Sequence, residues 1–335
     1  MAESAYRKVQ MGKESALGTE VDATFIFPVD PGSTEFTLNR ATQVPNEDYG
    51  RSVRNQTGRG STGVKVATAT LSAPARFEDV GRILSIALGS AVATGSGTVT
   101  NVWDRDTTAQ THNSYTVESD DGVAPFVATG VVATGFELGF DALGPGENSM
   151  WTISADLQAA NVAQGTATAG LSDPTTLETM EGHNTIIRLG TTATAFGSLS
   201  ELTAALVSYR YRDTFDKPGR PYGGSETFSA VGASKDALGE VTILLKLDST
   251  TIDASWDIFA VSGSLPTERR ARVTCDGSGD NVFHVDHRLL FTDVHVEPDG
   301  RDGERLVSIT AETMYDSTIG SDIECTLISS TATSF

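Results

Sequence analysis

The sequence predicts a mainly β protein: two similar antiparallel β-sandwich or barrel domains, each with one short helix and a long hairpin loop. Three observations predict it. Thr, Ala, Gly, Ser and Val are plentiful and strong helix formers are sparse, which suits strands joined by turns. Apolar and polar residues alternate along several segments, the period of a strand with one buried and one wet face. A strand–turn–strand pattern also occurs twice without a gap, as GFELGFDALGPGENSMWTISADL at 135–157 and FTDVHVEPDGRDGERLVSITAET at 291–313. With 335 residues and 39% hydrophobic content, the chain can fill the cores of two domains.

The two hairpins match position by position. Leu138 falls on Val294, Phe140 on Val296, Met150 on Leu306 and Ile153 on Ile309. Acids coincide too: Glu137 with Asp293, Asp141 with Glu297, Asp156 with Glu312. Gly144 meets Gly300 in turns whose Gly-rich tracts supply positive φ.

Upstream, 64–90 resembles 240–264: a strand and then a short helix. Val241, Ile243, Leu245 and Leu247 alternate as a strand does. Phe77, Val80, Leu84 and Leu88 recur at helical spacing, as do Ile252, Trp256 and Phe259. Thr250 or Thr251 can cap the second helix, and Gly89 and Gly263 end the two. The first copy is longer between helix and hairpin; its surplus, 91–122, includes a Gly/Ser tract expected to be flexible. A long polar stretch precedes each strand–helix unit, at 41–63 and 211–239. Loops of this length usually have a job. Small residues and an Asp-Pro pair across Ala160–Pro174 mark a boundary. The expected division is 1–162 (first domain with an N-terminal arm), 163–174 (linker) and 175–335 (second domain).

Net charge is −20 and pI about 4.5, without the Lys/Arg clusters that grip phosphates. Cys275 and Cys325 do not make a disulfide framework. No signal-peptide core or membrane span is legible, so folding in a cytoplasm without lipid is expected. Gly58–Gly63 matches G-x-G-x-x-G but lacks the strand-before, helix-after context of a dinucleotide site. His284 and His287 fall on opposite faces of a strand, poor geometry for one metal with His295. Glu78–Asp79 and Asp120–Asp121 are sequence neighbours whose side chains diverge. No catalytic, cofactor or metal site is expected, and no enzyme.

The opening KESALGTEVDAT, then LSAPARFEDVGRILSIALGS, SYTVESDDG and VVATGFELGFDALGPGENSMWTISADLQAANV, resemble siphophage major tail tube proteins in the order of their motifs. The resemblance covers roughly 10–162, and the second half joins it through the internal repeat. It implies a structural virion protein of the phage tail, stacked as rings into an acidic conduit for DNA ejection. Its partners would be further copies of itself, a tape measure protein, and tail terminator and distal tail proteins. DNA would pass without specific binding, and no membrane would be involved. Carried onto this chain, the candidate lumen acids are Glu137, Asp141, Asp156, Asp293, Glu297 and Glu312. The candidate inter-ring loops carry Gln43, Asn46, Tyr49, Arg51, Arg54 and Arg59, and then Asp213, Lys217, Arg220 and Tyr222. The arm Tyr6–Thr24 would bridge neighbours. Two wall units per chain predict a trimeric, pseudo-hexameric ring. The alternatives are another tail or capsid component (terminator, baseplate or decoration) and a carbohydrate-binding β-sandwich, which would expose clustered Trp or Tyr.

Overall fold

The computed structural model describes residues 8–27, 29, 36–43, 61–105, 113–120, 125–141, 149–172, 177–202, 206–214, 219–220, 230–231, 239–246, 267–297 and 306–330. Among them the chain is mainly β, antiparallel throughout, with one α-helix. The first half contributes β1 (Lys8–Lys13), β2 (Phe25–Phe27), β3 (Thr37–Gln43), β4 (Ser61–Pro74), α1 (Val80–Ala87), β5 (Val92–Thr94), β6 (Val99–Asp104), β7 (Tyr115–Asp120), β8 (Phe126–Asp141), β9 (Thr152–Ala159) and β10 (Asn161–Gln164). The second contributes β11 (Thr185–Gly190), β12 (Ser200–Leu202), β13 (Leu206–Thr214), β14 (Gly219–Arg220), β15 (Ala230–Val231), β16 (Glu240–Lys246), β17 (Thr267–Asp276), β18 (Val282–Glu297), β19 (Leu306–Met314) and β20 (Ile323–Ser329).

The pairing order recurs. In the first half neighbours run β3-β4-β9-β8. In the second they run β13-β16-β19-β18. The runs join where β8 pairs with β13, from Gly135↔Thr214 to Asp141↔Ser208, so one sheet crosses from half to half. Strand β8 serves two sheets, and β18 changes partners along its length. Their N-terminal parts pair with β7 and β10, and with β17 and β20, respectively. A bulge near the switch point bends each strand, between Ala133 and Gly135 and between Phe291 and Asp293.

The first strand–helix unit appears as expected. Alternate β4 residues Ala67, Ala69, Leu71 and Ala73 are buried, and α1 sinks Val80, Ile83 and Leu84 onto β8 and β9. Each such fully buried aliphatic side chain contributes about 1.5–3 kcal/mol relative to exposure. Gly89, at φ +121, stops the helix where an L side chain would be strained. The second expected helix, with Ile252, Trp256 and Phe259, lies outside the described residues, as do both hairpin turns with Gly144 and Gly300.

Three expectations change. The Gly/Ser tract at 95–97 is a tight hairpin turn, with positive φ at Gly95 and Gly97. It joins β5 to β6, and β6 lies along β20 of the other half, from Val99↔Ser329 to Asp104↔Glu324. The arm does not project: β1 pairs with β2 and β7 of its own chain. The buried Glu14 carboxylate fastens it, accepting from Gly18 N (2.8 Å), Thr116 Oγ1 (3.1 Å) and Gly130 N (2.8 Å). Met150 is exposed although its counterpart Leu306 is buried, because Met150 precedes β9 and makes only an isolated bridge to Glu181.

Candidate functional site

The crossing sheet has a dry face and a wet face. Phe136, Leu138 and Phe140 of β8, Tyr209 and Tyr211 of β13, Val241, Ile243 and Leu245 of β16, and Ile309 and Ala311 of β19 point into one core. Strand alternation then puts their neighbours on the opposite face. There stand Glu137 and Asp141 of β8, Asp156 of β9, Glu312 of β19 and Asp293 of β18. Five of the six predicted lumen acids thus share one face of one sheet. The sixth, Glu297, ends β18, and its side chain lies outside the described residues.

Register places these groups in cross-strand rows. Glu240, missed by the sequence reading, lies between Arg212 and Glu312. Arg212 in turn faces Glu137 across the β8–β13 junction. Arg210 donates to Glu137 at 2.6 Å, and this contact holds its guanidinium pKa up. Asp156 accepts from Thr70 Oγ1 at 2.9 Å. The face is therefore acidic but patterned, with Arg210, Arg212 and Lys246 set among the acids. A polar pit of about 210 Å³ opens on it between Thr70, Glu137, Ser154, Asp156 and Arg212.

Asp213, expected in a loop, sits in β13 with its side chain fully buried. The sequence YRYRDT explains it: Tyr209, Tyr211 and Asp213 alternate into the core while Arg210 and Arg212 point to water. A carboxylate in core register needs a compensating cation. Arg105, just past β6, supplies it: its guanidinium pairs with Asp213, lies 3.4 Å from Asp322 and donates to Tyr211 Oη at 3.3 Å. Tyr211 in turn donates to Asp213 at 2.8 Å. His287, wholly buried, stacks on Tyr211 and bonds Tyr209 Oη at 2.6 Å. Burial pushes its pKa down to about 3, so the imidazole is neutral. This network ties the first half to the second. Its signal in the sequence was the acid at a buried parity.

Of the other predicted loop residues, Gln43 ends β3 and Arg220 lies in β14, with side chains outside the described residues. Asn46, Tyr49, Arg51, Arg54, Arg59, Lys217 and Tyr222 lie outside them entirely. His284 and His287 do fall on opposite faces, and His295 bonds Asp293 at 2.8 Å instead. Among the described residues no group of His, Cys, Asp and Glu has metal-binding geometry. No described helix is long and apolar enough to cross a membrane.

No protein-family model and no curated protein matches the chain.

Proposed function

We propose that this protein is the wall unit of a tube, a phage tail tube protein whose rings stack into a conduit for DNA. One observation carries the reading: a continuous sheet, dry on one face, that gathers Glu137, Asp141, Asp156, Asp293 and Glu312 on the other. A wall needs a packed back and a wetted front. DNA sliding past such a front meets like charge, felt over a Debye length of about 8 Å at physiological salt. Attraction that would slow transit is thereby removed. The repeated strand order supports two wall units per chain, and hence three chains in a pseudo-sixfold ring.

Negative-stain microscopy of the purified protein tests this. Long hollow tubes with three chains per ring are expected. Single rings that never stack would indicate a terminator or capping protein, and particles without rings would sink the proposal. Against the sugar-binding alternative, Trp103 and Trp151 are fully buried and bonded to Ser85 and Thr185, so neither can stack on a ligand.

A further inference from the structure

Six strands carry one row of charged residues in register: Glu201 of β12, Arg188 of β11, Arg272 of β17, Asp286 of β18, Glu324 of β20 and Asp104 of β6. Residues opposite each other in antiparallel strands share a face, so all six stand on one side. Along the row the charges run minus, plus, plus, minus, minus, minus. The two arginines are matched by the acids beside them. Arg188 donates to Glu201 at 3.4 Å. Arg272 donates to both oxygens of the buried Asp286 at 2.6 Å. Glu324 and Asp104 are left over, opposite each other on the strand pair that joins the two halves. No cation pairs with either among the described residues.

The neighbours on this face do not compensate the pair. On β18, Arg288 stands two residues beyond Asp286 and is paired with Glu268. On β20, Asp322 precedes Glu324 by two residues but is turned to Arg105 and Thr313. Thr326 follows Glu324, opposite His284 and Val102. Burial, then Arg272 and Arg188, hold His284 down to about 4, so it brings no charge near neutral pH. Glu324 is half-buried and Asp104 exposed. Cross-strand partners have Cβ atoms about 4.5–5.5 Å apart, and like charges so placed repel. The proton affinity of Glu324 agrees with that geometry: burial, then the Asp286 and Asp104 carboxylates, push it up to about 7, against the pull of Arg272.

We propose that Glu324 and Asp104 form a proton-operated clasp between the two halves of the chain. Below neutral pH the Glu324 carboxyl is protonated and its O–H donates to the Asp104 carboxylate, so one proton holds β20 to β6. Above neutral pH that proton passes to solvent, both groups are ionised, and the same two positions push the strands apart. Asp286 stays ionised throughout, because both of its oxygens accept from Arg272. The clasp lies between two fixed points. Before it, Trp103 Nε1 donates to Ser85 at 2.9 Å; after it, Arg105 N donates to Ser321 Oγ at 3.1 Å. Ionisation therefore loosens the end of β6 without releasing it. At the other joint between the halves, Glu137 has Arg210 and Arg212 beside it, so its charge is compensated and that joint does not respond. The inference concerns the joint within one chain and is independent of the wall reading.

Hydrogen exchange on the full chain at pH 6 and pH 8, corrected for the intrinsic pH dependence of amide exchange, tests it. Amides of 99–104 and 323–328 should lose about fivefold in protection at the higher pH, the reach of one cross-strand pair, while amides of 135–141 keep theirs. Glu324→Gln, which resembles the protonated group, should show no such step. A step of the same size in this variant, or no step in the parent, would overturn the inference. The carbon-13 shift of the Glu324 carboxyl, followed by NMR, gives a second readout. Its midpoint in the parent should lie near 7 and should fall in Asp104→Asn. A parent midpoint in the ordinary glutamate range, or one that Asp104→Asn leaves in place, refutes the clasp. Should either variant misfold, the parent's exchange and its carboxyl midpoint decide.

Discussion

Replacing Arg105 by Met should be among the most damaging single changes in the described residues, although Arg105 is neither in a strand nor at a predicted site. Its guanidinium compensates Asp213, whose side chain is fully buried, and also reaches Asp322 and Tyr211. Met keeps much of the apolar stem, so the loss is mainly electrostatic. An orphaned carboxylate at this depth costs about 3–5 kcal/mol, whereas an exposed ion pair is worth at most about 1 kcal/mol. Urea unfolding monitored by tryptophan fluorescence reads the difference. The partner variant Asp213→Leu leaves the cation near the surface, with 16% of its side chain exposed and Asp322 still beside it, so it should cost less. The double variant Arg105→Met, Asp213→Leu should recover part of the loss, because removing both charges also removes their desolvation. A loss under about 1 kcal/mol for Arg105→Met, or strict additivity in the cycle, would refute the view that this pair is a buried, mutually dependent unit.

Both amide atoms of the fully buried Asn101 lack a partner among the described residues, so Asn101→Leu should raise stability by about 1–2 kcal/mol, read by urea midpoint. A Cβ on Gly139 would collide with the Tyr209 carbonyl oxygen, so Gly139→Ala should force β8 from β13 and cost about 1–3 kcal/mol, with faster exchange at 135–141. Burial, then the Asp286 and Asp104 carboxylates, push Glu324 up to about 7. Its protonated form is favoured in the folded state, so its contribution is full below about 4.5 and lost as pH rises through 7. The stability gap between Glu324→Gln and the parent should open over that window and then level off. His287, held down to about 3 by burial, and His284, held down to about 4 by burial and then Arg272, act oppositely. Their contributions are full above 6.5 and fade as pH falls toward those values, so a His287→Phe chain should lose less stability on acidification.

What the sequence made legible was whatever a local period carries. Leu138, Phe140 and Ile153 alternate against Glu137, Asp141 and Asp156, and this alone assigns a dry and a wet side to the hairpin. Helix α1 was equally plain from Phe77, Val80, Leu84 and Leu88. Long-range pairing was not legible. Nothing near Val99 says that β6 lies against β20, because hydrogen bonds between backbones carry no side-chain signature. Asp213 reads as loop because the stretch 211–239 carries Pro, Gly, Arg and Tyr and few apolar runs. The structure keeps it in strand because Arg105, about a hundred residues earlier, makes its burial tolerable.

The hairpin β5–β6 makes the two halves unequal. Its strand covers β20, whose counterpart beside β8 is β10. A strand laid across the halves ties them at a second place, apart from the β8–β13 junction. Trp103 anchors it, with Nε1 donating to Ser85 of α1 at 2.9 Å, and Arg105 continues it into the Asp213 network. The sequence of the second half has no comparable stretch: its echo of the strand–helix pattern, 240–264, ends just before β17 at Thr267. Within a chain the halves are thus bridged twice, at β8–β13 and at β6–β20. The internal junction should therefore outlast the junctions between copies. Rising denaturant should release intact chains from an assembly before any chain unfolds, seen as loss of particle mass by light scattering at unchanged far-UV circular dichroism. Coincident transitions would contradict the asymmetry.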